Sequence, residues 1–197
     1  MSIRKFFLLI GALIAMSSLT SCNYNSLVEK QQNVDQTWAQ VQNQYQRRAD
    51  LIPNLVNTVK GYSTHESQTL EKVTEARAGL SKAYNDVNAI QNPQENLAQY
   101  QQAQSGLKEA MDIYVNAVKE AYPDLKANEN FMALQAQLEG TENRISTERQ
   151  RYTVAVQEYN TAIKKFPTNI YAGWFGFKEK PQFQAEAGAQ QAPKVEF

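Results

Sequence analysis

From Asn25 to Phe166 the apolar side chains return at steps of three and four, the spacing of one face of an α-helix. No stretch alternates with the period of two that a half-buried strand needs. Four helices are expected. The first covers about Asn25 to Lys60, with Leu27, Val34, Trp38, Val41, Tyr45, Arg48, Ile52, Leu55 and Val59 along its seam. Pro53 interrupts this pattern and should kink the helix, because proline removes a backbone donor and crowds the preceding turn. Gly61 suits a stop. Ser63 to Glu66 then has the form of a capping box, opening a second helix through Leu70, Val73, Arg77, Leu80, Tyr84 and Val87. Asn92 is placed to cap a third helix with Pro93 at its first position, where the missing N–H costs nothing. That helix carries Leu97, Tyr100, Gln104, Leu107, Met111, Tyr114 and Val118 and stops before Pro123. The fourth runs from about Glu129 to Phe166 through Phe131, Leu134, Leu138, Thr141, Ile145, Glu148, Tyr152, Ala155, Tyr159, Ala162 and Phe166, and Pro167 ends it.

Seams repeating every 3.5 residues on consecutive helices with short connections predict antiparallel packing at crossing angles of about 20°. The fold expected is an all-α, elongated antiparallel four-helix bundle with longer first and fourth helices and an irregular C-terminal tail. The outer parts of the long pair should overhang the short pair by about 13 residues, roughly 20 Å. Trp38, Leu55, Leu138 and Tyr152 are expected in the core.

Arg48, Arg77, Gln104 and Glu148 each interrupt an otherwise apolar seam. With the first turn centred near residue 62, Arg48 faces Arg77, and turns near 90 and 125 bring Gln104 and Glu148 to the same level. An unpaired charge there would cost several kcal/mol. Glu148 is therefore expected to accept from one or both arginines, with Glu142 as the substitute if the register slips by a turn. The alternative is that each side chain snorkels to solvent from the edge of the seam.

Ahead of the helical body, residues 1–21 have a basic start at Arg4 and Lys5, an apolar run from Phe6 to Met16, and small residues before Cys22. This is the plan of a secretory signal, and the run is shorter than the roughly 20 residues of a spanning helix. Leu19-Thr20-Ser21-Cys22 resembles a bacterial lipobox, in which the thiol is lipidated and the bond before it is cut. An ordinary signal or a retained anchor is the alternative. Acyl chains contributing about 0.8 kcal/mol per buried CH₂ would hold the chain on a membrane. Cys22 is the only cysteine, so it cannot form an intramolecular disulfide. Cleavage would remove two basic residues and no acid, leaving 18 basic against 20 acidic side chains. That balance argues against a nucleic-acid partner.

The phrases RRADLIPNLV (47–56) and LEGTENRI (138–145), with the ending FGFKEKPQFQAEAGAQQAPKVEF, resemble the LemA family of bacterial envelope proteins. The resemblance implies an all-helical, membrane-anchored domain in the cell envelope, facing the periplasm or exterior. The family commonly carries an amino-terminal transmembrane helix, and this chain departs from it by offering a lipobox. The domains expected are a lipoprotein signal peptide (1–21), a helical LemA-like domain (22–167) and an aromatic C-terminal tail (168–197). Some family members are associated with envelope metalloproteases or with membrane organisation. The resemblance thus implies a binding or scaffold module for another envelope protein, such as a membrane metalloprotease.

No catalytic motif competes with that reading. His65, the only histidine, sits in the capping box, and H-E-x-x-H, phosphate-binding glycine loops and nucleophile elbows are all missing from the sequence. Glu139, Glu142 and Glu148 lack the Glu-x-x-His partners of a di-iron bundle. Neither a metal nor a cofactor is expected, and the chain reads as a non-enzyme. Two other classes stay open: a structural protein that self-associates, and a hydrolase whose site the sequence conceals. Tyr171, Trp174, Phe175 and Phe177 crowd the start of the tail and should lie near the lipidated end. They could pack on the overhanging helices, which Gly173 and Gly176 favour by permitting tight turns, or enter a membrane interface.

Overall fold

The computed structural model describes residues 3–63 and 71–184, with side chains described for 24–62 and 71–184. Among these residues the fold is all-α, without strands. The helices are α1 (Ile3–Ser63), α2 (Glu71–Asn88), α3 (Leu97–Ala121), a 3-10 helix (Pro123–Ala127), α4 (Glu129–Lys164) and α5 (Thr168–Tyr171). None of the described helices is long and apolar enough to cross a membrane.

Helix α1 departs from expectation at both ends. It begins at Ile3, taking in the apolar run expected of a signal peptide, whose leucines, alanines and isoleucines tolerate helix well. It also runs past the expected stop at Gly61 to Ser63, with Pro53 inside the helix. All nine expected seam residues from Leu27 to Val59 are buried. The expected capping box beyond Ser63, with His65 and Leu70, lies outside the described residues.

Helix α3 starts at Leu97, four residues later than Pro93 would place it. Asn92 lies in the left-handed region at φ 49°, and its carbonyl accepts from the N–H groups of Glu95 and Asn96. A residue before proline is disfavoured in the right-handed helical region, and asparagine is among the few that tolerate this alternative. The segment therefore forms a separate turn before the helix. Helix α4 is opened by Asn128, whose Oδ1 accepts from the backbone N–H groups of Asn130 and Phe131. This is a side-chain cap satisfying two of the donors a helix start leaves free.

The chain divides into two compact units. One comprises Gln40–Gln150 and the chain from Pro181 onward; the other comprises the chain up to Ala39 and Arg151–Lys180. In the four-helix unit, residues 72–79 of α2 flank 110–120 of α3, and 83–90 flank 99–109, so the pair is antiparallel. Helices α1 and α4 also run antiparallel, since Arg48 meets Glu142 while Thr58 shares a groove with Asn130. The core runs from Leu51 and Leu55 through Leu80, Leu107 and Val118 to Phe131 and Leu138. Tyr122 and Leu125, each 1 % exposed, close it beneath the 3-10 turn.

The two-helix unit contains neither α2 nor α3. Its core pairs Trp38 with Tyr152, ring centroids 5.3 Å apart, and adds Val34, Val156, Tyr159 and Ile163. Here the seam of α4 leaves its expected track. Val156 and Ile163 are buried, while Phe166 is 79 % exposed. A straight helix of 3.6 residues per turn drifts about 20° per heptad against a 3.5-residue repeat, which moves burial from the expected Ala162 onto Ile163, and α4 ends at Lys164, two residues short of the expected Phe166, which falls in the turn beyond it.

Candidate functional site

The charged centre of the four-helix unit grows from a single arginine. Arg48 occupies a seam position on α1 and is 2 % exposed. A guanidinium in such a place needs acceptors, and α3 and α4 supply them. Nη1 donates to Glu142 Oε1 at 2.8 Å. Nη2 donates to the side-chain oxygen of Gln104 and to its backbone carbonyl, the latter at 3.2 Å. One side chain thereby ties three helices. The guanidinium also lies over the Tyr45 ring, 5.3 Å from its centroid, and Tyr45 meets Tyr100 edge to face at 5.5 Å.

Burial sets the electrostatics of the surrounding tyrosines. It pushes the Tyr45 hydroxyl up to about 12, against the opposing pull of Arg149 and Arg48. Tyr100 is raised by burial, with its hydrogen bond to Gln104 and the charge of Arg48 working the other way. The Tyr45 hydroxyl and Arg48 Nε are buried without a hydrogen-bond partner among the described residues.

The structure places the expected layer differently from the turn arithmetic. Glu142, not Glu148, accepts from Arg48. Glu148 is half-buried and engaged elsewhere. Arg77 is exposed, and the seam position beside it is taken by Ala76. The cause is register. Because α1 continues through Gly61, residues 52–57 of α1 line a groove with 77–84 of α2, so Arg77 lies further along α1 than Arg48. The small Ala76 then packs inward, and Arg77 keeps its charge in water, which avoids a desolvation cost. Trp38, Leu55, Leu138 and Tyr152 are all buried, at 7, 0, 4 and 0 % exposure.

The tail contains order that no local pattern announces. In the two-helix unit, Asn160 donates from Nδ2 to the carbonyl of Lys180 at 2.8 Å and accepts from its N–H at 3.0 Å. In the four-helix unit, Gln101 treats Gln184 likewise, at 2.7 and 3.0 Å. Each amide meets one residue's N–H and C=O as a neighbouring strand would. Arg149 adds a cation–π contact to Phe183 at 4.7 Å. These partners stand 83 residues apart in one case and 20 in the other, so sequence spacing carried no signal for them.

The tail aromatics separate into two groups. Tyr171 and Phe177 are buried, whereas Trp174 and Phe175 are exposed at 83 and 60 %. Tyr24 meets Phe175 at 5.3 Å and Phe177 at 5.6 Å, both edge to face. Cys22 belongs to α1, and its side chain lies outside the described residues.

Among the described residues no group of three or more His, Cys, Asp or Glu side chains is arranged to hold a metal. The Arg48 cluster turns its hydrogen-bonding capacity inward, so its chemistry is that of a tie between helices.

Comparison with known proteins gives these observations a family. The chain is 26 % identical over 161 residues to Protein LemA of Metamycoplasma hominis, covering 82 % of this chain and 68 % of that one. It is 25 % identical over 195 residues to magnetosome proteins MamQ 1 and MamQ 2 of Paramagnetospirillum magneticum, covering 88 % of this chain and 69 % of each of those. The LemA family matches residues 37–197, which span α1 from its second half, the Arg48 cluster, all of α4 and the tail. With most of its length matched, this all-helical chain belongs to the LemA family.

Proposed function

We propose that this protein is a lipid-anchored helical scaffold of the bacterial cell envelope, held by Cys22 and engaging another envelope protein through its outer helix faces. The observation that carries the scaffold reading is the use made of charge. The buried arginine is consumed in tying α1, α3 and α4 together, and the outward faces offer glutamine, asparagine and isolated apolar side chains such as Ile113 and Met132. A rigid bundle with that surface suits protein contact better than turnover. The relatives named for the magnetosome are components of a larger assembly by name, which supports the same reading.

The anchor reading rests on Leu19-Thr20-Ser21-Cys22 after an apolar run. Mass spectrometry of the protein from a bacterial membrane should find Cys22 as the first residue, bearing acyl chains, and Cys22→Ser should abolish both. An unmodified Cys22 in the mature wild type would overturn it. Photocrosslinkers at Ile113 and Met132 in living cells should capture one different envelope protein, a membrane metalloprotease being the partner class that family resemblance suggests. Self-adducts alone would replace the adaptor by a self-associating structural protein.

A further inference from the structure

We infer that the two-helix unit carries a second, non-covalent membrane contact: an aromatic and basic surface, built from Phe166, Ile170, Trp174 and Phe175 with Lys165 and Lys178, that seats on an anionic phospholipid bilayer. The four apolar side chains are exposed at 79, 55, 83 and 60 % within ten residues of chain. They are not the loose end of a disordered segment. Helix α5 and the turns after it are pinned from beneath by Thr168, Tyr171, Ala172 and Phe177, all buried. The backbone holds this shape through bonds from Ala172 to Thr168, from Trp174 and Phe175 to Tyr171, and from Phe177 to Ala172. A rigid platform thus presents large apolar groups to the outside, an arrangement that marks an interaction site.

Its position selects the occupant. Phe175 stacks edge to face on Tyr24, two residues beyond Cys22. Acyl chains on Cys22, so close to Tyr24 in the chain, would therefore enter the bilayer beside this surface, and this part of the inference rests on the anchor proposed above. The charges agree with the position. Lys164 is paired with Glu179, Lys30 with Glu158 and Lys180 with Asp35. Lys165 and Lys178 are exposed and have no ion pair among the described residues, which leaves cations beside the aromatic rings. Tryptophan flanked by lysine suits the headgroup region of an anionic membrane.

The full-length protein, reconstituted into vesicles of three parts phosphatidylcholine to one part phosphatidylglycerol brominated on their acyl chains, tests this directly. The chain has two tryptophans, Trp38 and Trp174, and Trp38 is buried in the unit's core. Subtracting the emission of a Trp174→Phe variant isolates Trp174 without disturbing the fold, because Trp174 is exposed. The expected result is about twofold quenching of the Trp174 component with a blue shift, as for an indole at the acyl boundary. Lys165→Glu combined with Lys178→Glu should return it towards its value in phosphatidylcholine alone. A protein that floats with the vesicles while Trp174 stays unquenched overturns the surface and leaves the anchor standing. Quenching of Trp174 in a protein whose Cys22 proves unmodified keeps the surface and overturns the anchor. A protein that neither floats nor is quenched overturns both.

Discussion

Arg48 illustrates how one residue constrains its surroundings. A guanidinium at 2 % exposure is tolerable only while its partners hold, since a buried charge stripped of its counter-ion costs far more than the pair contributes. Glu142→Gln should therefore destabilise the protein by about 3 kcal/mol, and Glu148→Gln by no more than about 1 kcal/mol, because Arg48 donates to Glu142 and Gln104 and not to Glu148. Urea denaturation of the two variants decides which carboxylate matters, and an Arg48–Glu142 double-mutant cycle should show coupling above about 1 kcal/mol. The neighbouring tyrosines make a second prediction. Tyr45 and Tyr114 are each raised by burial to about 12, from 10.0 when unfolded. The folded state thus favours the protonated phenol. The stability this provides is intact below pH 10 and is lost as pH rises through 12, because the unfolded chain releases those protons first. Tyr45→Phe should flatten that alkaline decline. It should also leave stability at pH 7 equal or higher, since the buried hydroxyl it removes has no partner among the described residues.

At the scale of elements, helix starts and seams were decided by different forces. Asn128 supplies a true side-chain cap to α4, so Asn128→Ala should cost about 1 kcal/mol. Asn92 accepts through its backbone carbonyl in a turn that precedes α3, and Asn92→Gly, which keeps φ 49° accessible, should cost almost nothing. Thermal denaturation compares the two. The seams of α1 and α3 follow the sequence pattern throughout. That of α4 drifts onto Val156 and Ile163 in the two-helix unit. There only α1 and the tail constrain α4, so it need not keep a strict heptad.

For the molecule as a whole, the division into two units predicts uneven stability. The four-helix unit buries its seams against three neighbouring helices around one core, while the two-helix unit has α1, α4, α5 and the tail alone. Local opening costs less where fewer apolar contacts must break. Backbone amides of α4 in residues 151–164 should therefore exchange at least about tenfold faster than those in 131–150, although both belong to one unbroken helix. Hydrogen exchange resolved along α4 would show this step, and uniform protection would contradict it.

The sequence by itself determined the helical class, the four long helices, the seams of α1 and α3, and the core places of Trp38, Leu55, Leu138 and Tyr152. It could do so because periodic burial is a local property, written at three- and four-residue steps. Membership of the LemA family was likewise legible in continuous phrases. Tertiary structure alone decided which carboxylate meets Arg48, because that depends on where each turn lies, and a helix running three residues past its expected end moves every partner. It alone put Arg77 in water and Ala76 in the seam, by letting the smaller side chain allow close packing. It alone fastened the tail through Gln101 and Asn160 and divided its aromatics between core and surface. Those contacts join residues far apart in the chain, and only the packed helices bring them within reach of one another.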